Sequence, residues 1–158
     1  MEARLNLTAS PVAAKSMKYF ASASRVLVKE STLPKATQDL VLLRASQING
    51  CGYCTDAHSK DLAHAGESAT RINLVAAWRE STVFTDAERA ALELTEQGTR
   101  IADAAGGVTD EVWANAAKHY DEEQLAALVC IIALINASNR MGVITRMAGG
   151  DYQPGQFA

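Results

Sequence analysis

The 158-residue sequence has little of what builds a β protein or a secreted one. Only 6% of its residues are aromatic, and it holds three prolines and three cysteines. Strands draw on aromatic and β-branched residues in alternation, and no segment here alternates, so no sheet is expected. The N-terminal stretch MEARLNLTASPVAAKSMKYF is charged and lacks a continuous apolar segment of signal-peptide type. The longest apolar run, Leu125 to Ile135, has eleven residues, whereas a bilayer span needs roughly 20. A cytoplasmic chain with no membrane partner is therefore expected, in a compartment where structural disulfides are rare. The formal charge of −3 argues against nucleic acid as a partner. A glycine-rich phosphate loop is absent as well.

What is present points to helices. Hydrophobic residues make up 48% of the chain and charged residues 21%, close to the globular average, and alanine recurs throughout. The length suits one domain, residues 1–158, able to bury roughly 70% of its unfolded surface. An all-α, compact antiparallel fold of about six to seven helices is expected. A first helix covers about Pro11 to Glu30, and Pro34 opens a second as its first residue. In that second helix Leu40, Val41, Ala45 and Ile48 share a face. Asn49-Gly50 marks a turn, after which Cys51 to about Ala65 forms a third helix closed by Gly66.

A short helix is expected around Ala69 to Arg79. The next begins at a capping box, Thr85 with Glu88, shows a stripe of Ala87, Ala91, Leu94, Gly98 and Ile101, and ends at the Ala-Ala-Gly-Gly stretch 104–107. Thr109 caps a helix through about His119. Asp121, with Gln124, caps a long one reaching about Met147. Because this last helix is apolar on nearly every side from Leu125 to Ile135, it is expected in the core or at a subunit interface. Cys130, inside LAALVCIIALI, is expected to be an inert core residue. The tail GGDYQPGQFA reads as irregular.

The chemistry-bearing stretch is Ser46-Gln47-Ile48-Asn49-Gly50-Cys51-Gly52-Tyr53-Cys54-Thr55-Asp56-Ala57-His58. At about 100° per residue, Cys51, Cys54 and His58 occupy an arc of about 60°. The i, i+3 spacing lets two thiols meet, and the i, i+4 spacing sets His58 one turn beyond Cys54. A preceding turn places both cysteines in the first helical turn, where unpaired N–H groups and the helix dipole favour a thiolate. A neighbouring imidazole can take or return the proton. These are the parts of a dithiol–disulfide redox centre. Position alone does not decide which cysteine attacks first, since Cys51 is nearer the helix end and Cys54 has the i+4 histidine.

Zinc is the rival use of these residues. His64, however, lies about 120° around the same helix from His58 and cannot join the other three without breaking that helix. No metal site is therefore expected, and His64 and His119 read as surface histidines. A carboxylate can complete the redox centre. If the second and third helices fold back about Asn49-Gly50, Leu42 faces His58 and Asp39 lies less than one turn away. Asp39 could then orient the imidazole in a relay from Asp39 through His58 to Cys54. The same spacing also suits a solvated aspartate on a helix surface.

The sequence resembles the alkylhydroperoxidase D branch of the carboxymuconolactone decarboxylase-like superfamily. The residues that carry this are LVLLRASQINGCGYCTDAHSKDLAHAGES at 40–68, LVAAWRE at 74–80 and INASNR at 135–140, in the family's order. The resemblance implies an all-helical fold and a homo-oligomer, a trimer or hexamer. It implies that Cys54 is the peroxidatic thiolate and that Cys51 resolves the sulfenic acid to a disulfide. His58 matches the relay histidine, and Asp39 stands where the family has a glutamate twelve residues before the first cysteine. Tyr53 stands where some members carry a histidine, and would line the pocket or donate a proton. An intact thiol pair argues against muconolactone decarboxylation, which uses none.

The expected activity is reduction of a small hydroperoxide, with an external dithiol or a peroxiredoxin partner exchanging electrons with the disulfide. This chemistry needs no cofactor. The alternative is a thiol–disulfide carrier or redox-sensing oligomer without efficient peroxide turnover.

Overall fold

The computed structural model describes residues 2–104 and 106–156, and the described residues are helical with no strand. Seven α-helices follow in order: α1 (Pro11–Glu30), α2 (Lys35–Asn49), α3 (Gly52–His64), α4 (Ala69–Leu74), α5 (Asp86–Thr99), α6 (Asp110–Ala116) and α7 (Glu122–Thr145). Two 3₁₀ turns, Leu7–Ala9 and Val75–Glu80, complete them.

The local signals act largely as their chemistry requires. Ser10, Ser68, Thr85, Thr109 and Asp121 each cap a helix by accepting a backbone N–H at its third residue. At Thr85/Glu88 and Asp121/Gln124 the reciprocal bond is also made. Pro34 stands one place before α2, with extended ψ of 132°, while its carbonyl already accepts from the Gln38 N–H. Gly50 ends α2 in the left-handed region at φ 66°, where a side chain would be strained.

Three helix ends differ from expectation. The segment 69–79 is not one helix: α4 passes into the 3₁₀ turn, with Ala77 at φ −121°. The Arg89 guanidinium explains the break, since it binds the carbonyls of Trp78, Arg79 and Ser81 at 2.8–3.0 Å. α5 stops at Thr99, and residues 100–104 form turns in which Ile101 is exposed; of the stretch expected to end it, Ala105 lies outside the described residues. α6 ends at Ala116, and turns lead on to Tyr120, whose hydroxyl donates to the Ala87 carbonyl at 2.7 Å.

α2 is buried on two sides, with polar Thr37, Gln38, Asp39 and Ser46 enclosed alongside Leu40, Val41 and Leu43. Val41 joins a core with Ala91, Leu94, Val112, Leu128, Ile131 and Ile132. Leu40 and Leu43 join another with Leu62, Val75, Trp78, Phe84 and Leu92. Each buried Val, Leu, Ile or Phe among them contributes about 1.5–3 kcal/mol by leaving water. At 24 residues α7 is by length and composition able to cross a membrane, yet here it buries Leu125, Leu128, Ile131, Ile132 and Ile135 in the core.

The outer side of α7 corrects the reading of Cys130, which is exposed. Its neighbours on that side include Val129, 44% exposed, and further along Val143 and Ile144, the latter 66% exposed. A helix apolar all round gives its sequence no phase, so which residues face inward cannot be read from the run itself.

Candidate functional site

The reversal between α2 and α3 places the thiol pair. The Cys51 N–H donates to the Ser46 carbonyl at 3.1 Å, and Gly50 supplies the left-handed step. Cys51 is the N-cap of α3, not a residue of its first turn: its backbone is extended (φ −81°, ψ 99°), and its Sγ accepts the Cys54 N–H at 3.3 Å. The sulfur thus occupies the place of a capping serine oxygen, against the unpaired N–H groups of the helix start, where negative charge is favoured.

Cys51 and Cys54 are joined as a disulfide with Cα atoms 5.3 Å apart. Both are buried, Cys51 2% and Cys54 7% exposed. α7 passes directly over them at Gly142, where an added Cβ would stand 2.7 Å from Cys51 Sγ and 3.6 Å from Cys54 Sγ. Glycine here allows the close approach of helix backbone to sulfur.

His58 lies one turn beyond Cys54 on α3. Burial pushes its pKa down from 6.5 to about 4, against the pull of Asp61; Lys35 also lowers it. The imidazole is therefore neutral near pH 7 and able to accept a proton. Asp39 is buried on α2, and the Lys35 ammonium one turn earlier pairs with it. Burial raises the Asp39 pKa, the Lys35 contact opposes this, and Asp61 and Glu67 add to the rise. No hydrogen bond joins Asp39 to His58 among the described residues. Tyr53 is partly exposed, and burial and Asp56 raise its pKa. His64 and His119 are exposed, as expected of surface histidines.

Two further groups escaped the sequence reading. The first is a polar seam between α2 and α7. Asn49 Nδ2 donates to Asn136 Oδ1 at 3.0 Å, and Asn139 lies within hydrogen-bonding distance of both Asn49 and Ser46. It ties the Ser-Gln-Ile-Asn turn to the INASNR segment, although 87 to 93 residues separate the partners. The second is the tail: Gly149 to Gly155 packs along α3. The repeated asparagines of INASNR were a signal for the first, whereas nothing periodic marks the second.

Residues 14–97 match the carboxymuconolactone decarboxylase family. The uncharacterized protein YdfG of Bacillus subtilis is 41% identical over 115 residues, which is 73% of this chain and 77% of that one. The uncharacterized protein YnjA of Escherichia coli is 34% identical over 71% of this chain and 60% of its own length. A crystal structure from Agrobacterium tumefaciens, of a protein of unknown function assigned provisionally as the antioxidant defence protein AhpD, superposes with a TM-score of 0.87. It is 33% identical and covers 96% of this chain and all of that one. The chain belongs to the carboxymuconolactone decarboxylase family, in its alkylhydroperoxidase D-like branch. The debrominase Bmp8 shares the fold, with a TM-score of 0.74 at 18% identity over 87% of this chain and 74% of that one.

Proposed function

We propose that the chain is a thiol-dependent peroxidase. The observation that carries this reading is the Cys51–Cys54 disulfide at the start of α3 with His58 one turn on. In the reduced protein His58 takes the Cys54 proton, and the thiolate attacks one oxygen of a small hydroperoxide. The O–O bond breaks, Cys54 becomes a sulfenic acid, and the departing oxygen receives the proton from the imidazolium. Cys51 then attacks the Cys54 sulfur, the S–O bond breaks, water leaves and the disulfide forms. An external dithiol, or a dithiol partner protein in the cytoplasm, returns the two electrons. No step calls on a cofactor. The AhpD assignment of the Agrobacterium relative is in keeping with this chemistry.

The test is hydroperoxide consumption with excess dithiol by the parent, Cys51→Ser and Cys54→Ser, with products read by mass spectrometry. The reading requires that Cys54→Ser abolish the first turnover and that Cys51→Ser accumulate a sulfenic acid on Cys54. A parent inert to hydroperoxide would refute it.

A second reading has its own observation. α7 touches the disulfide through Gly142 and exposes Val129, Cys130 and Ile144 on its other side. A homo-oligomer, a trimer or hexamer, that covers this side would place the disulfide one helix from its interface, so oxidation could alter assembly. Identical size-exclusion profiles for oxidised and reduced protein would exclude the sensing role.

A further inference from the structure

The tail after α7 grips one flank of α3. Asp56 accepts the N–H groups of Gly150 at 2.7 Å and Tyr152 at 3.3 Å. The Lys60 ammonium donates to the carbonyls of the same two residues at 2.7 and 3.1 Å. At Gly149 the approach is so close that a Cβ would meet the Gly52 carbonyl oxygen at 2.6 Å. The Tyr152 ring, 2% exposed, stands edge-on to Tyr53 with centroids 6.3 Å apart. Its hydroxyl reaches both oxygens of Asp61 at 2.9 Å, and the Gly155 N–H adds a bond to the same carboxylate at 3.2 Å.

Asp61 stands at a telling place on the helix. Cys54, His58 and Asp61 are spaced i, i+4 and i+7, within about 60° of one face. Asp39, on the facing helix, is held instead by Lys35. We propose that Asp61, oriented by Tyr152 and Gly155, is the carboxylate that supports the His58 imidazolium when Cys54 gives up its proton, with Tyr152 a positioning residue. The proposal deepens the reading of Cys54 and His58 as a thiol and its base, and rests on it.

Charge supports this choice. The groups acting on His58 are Asp61 from its own helix and Lys35 from α2, the latter paired with Asp39. Asp61 raises the His58 pKa and acts more strongly than Lys35, which lowers it. In the step itself one proton passes from Cys54 sulfur to the His58 ring. No electrons are transferred to another molecule. A carboxylate so placed stabilises the thiolate–imidazolium pair, and so lowers the pH at which Cys54 becomes reactive.

The test is the pH profile of Cys54 alkylation by iodoacetamide in the reduced full-length protein, read by mass spectrometry of the Cys54 peptide. Asp61→Asn should raise the midpoint by about one pH unit, a tenfold loss of thiolate below it. Tyr152→Phe, which keeps the ring against Tyr53, should move it the same way by less. Asp39→Asn should move it less than Asp61→Asn. An unchanged midpoint in Asp61→Asn, or a shift no larger than that of Asp39→Asn, would overturn the proposal. Should Asp61→Asn fail to fold by circular dichroism, Tyr152→Phe decides, and an unchanged midpoint there overturns it equally. Because no hydroperoxide is used, a protein inert to hydroperoxide defeats the peroxidase reading without touching this result.

Discussion

Gly142 of α7 lies directly against the sulfur of Cys51: a Cβ built on it would stand 2.7 Å from Sγ. The disulfide is thus packed on helix backbone rather than on a side chain, and this contact is open to test. Gly142→Ala would gain about 1 kcal/mol of helix propensity. Overpacking at the sulfur is expected to outweigh that gain and lower the stability of the oxidised protein by about 1–3 kcal/mol. Urea denaturation reads the difference, and a midpoint equal to or above the parent's would show that α7 gives way freely.

His58 sets a pH dependence of stability. Its pKa is pushed down to about 4 by burial, from an ordinary 6.5. On acidification the unfolded chain therefore takes up the proton first. The stability contribution is full above about 6.5 and is lost as the pH falls through about 4. The urea midpoint should be lower at about pH 5 than at about pH 7, and His58→Gln should flatten that difference. Equal slopes in parent and variant would contradict the assignment.

The polar seam between α2 and α7 is expected to hold the turn before the thiols. Asn139 is fully buried and adjoins Ser46 and Asn49. Asn139→Ala should cost about 1–3 kcal/mol, because buried partners are left without hydrogen bonds. Thermal denaturation measures this. A loss well below 1 kcal/mol would mean that water replaces the amide.

The outer side of α7 yields a prediction about assembly. If copies of the chain cover Val129, Cys130 and Ile144, Cys130→Asp would bury a charge at the contact and should reduce the solution mass measured by light scattering while leaving helicity unchanged. A parent that is already monomeric, or a variant of undiminished mass, would remove this face from the interface.

Much of this architecture can be read from local rules, and what cannot has physical causes. α1 runs from Pro11 to Glu30 as its pattern implies, and the capping boxes at Thr85 and Asp121 form. Caps and turns are short-range, so their residues announce them. The disulfide partners were legible for the same reason, three residues apart across a helix start. Cys130 was not, because an unbroken apolar run has no inward face until neighbouring helices choose one. The break at Ala77 depends on Arg89, which captures carbonyls from another element. Asp61 shares its face with Cys54 and His58 by simple counting, but the bond that holds its carboxylate comes from Tyr152, 91 residues away. The tail shows no periodicity since most of its bonds to α3 use its own backbone.

The shortness of the loop closed by Cys51 and Cys54 has a last consequence. With the two cysteines three positions apart, the bond restricts very little of the unfolded chain. On a polymer-entropy scale it is worth about 2 kcal/mol, against nearly 5 for a hundred-residue loop. Opening it leaves the two apolar cores and the helix caps in place to maintain the fold. The architecture therefore does not depend on whether this bond is made or broken.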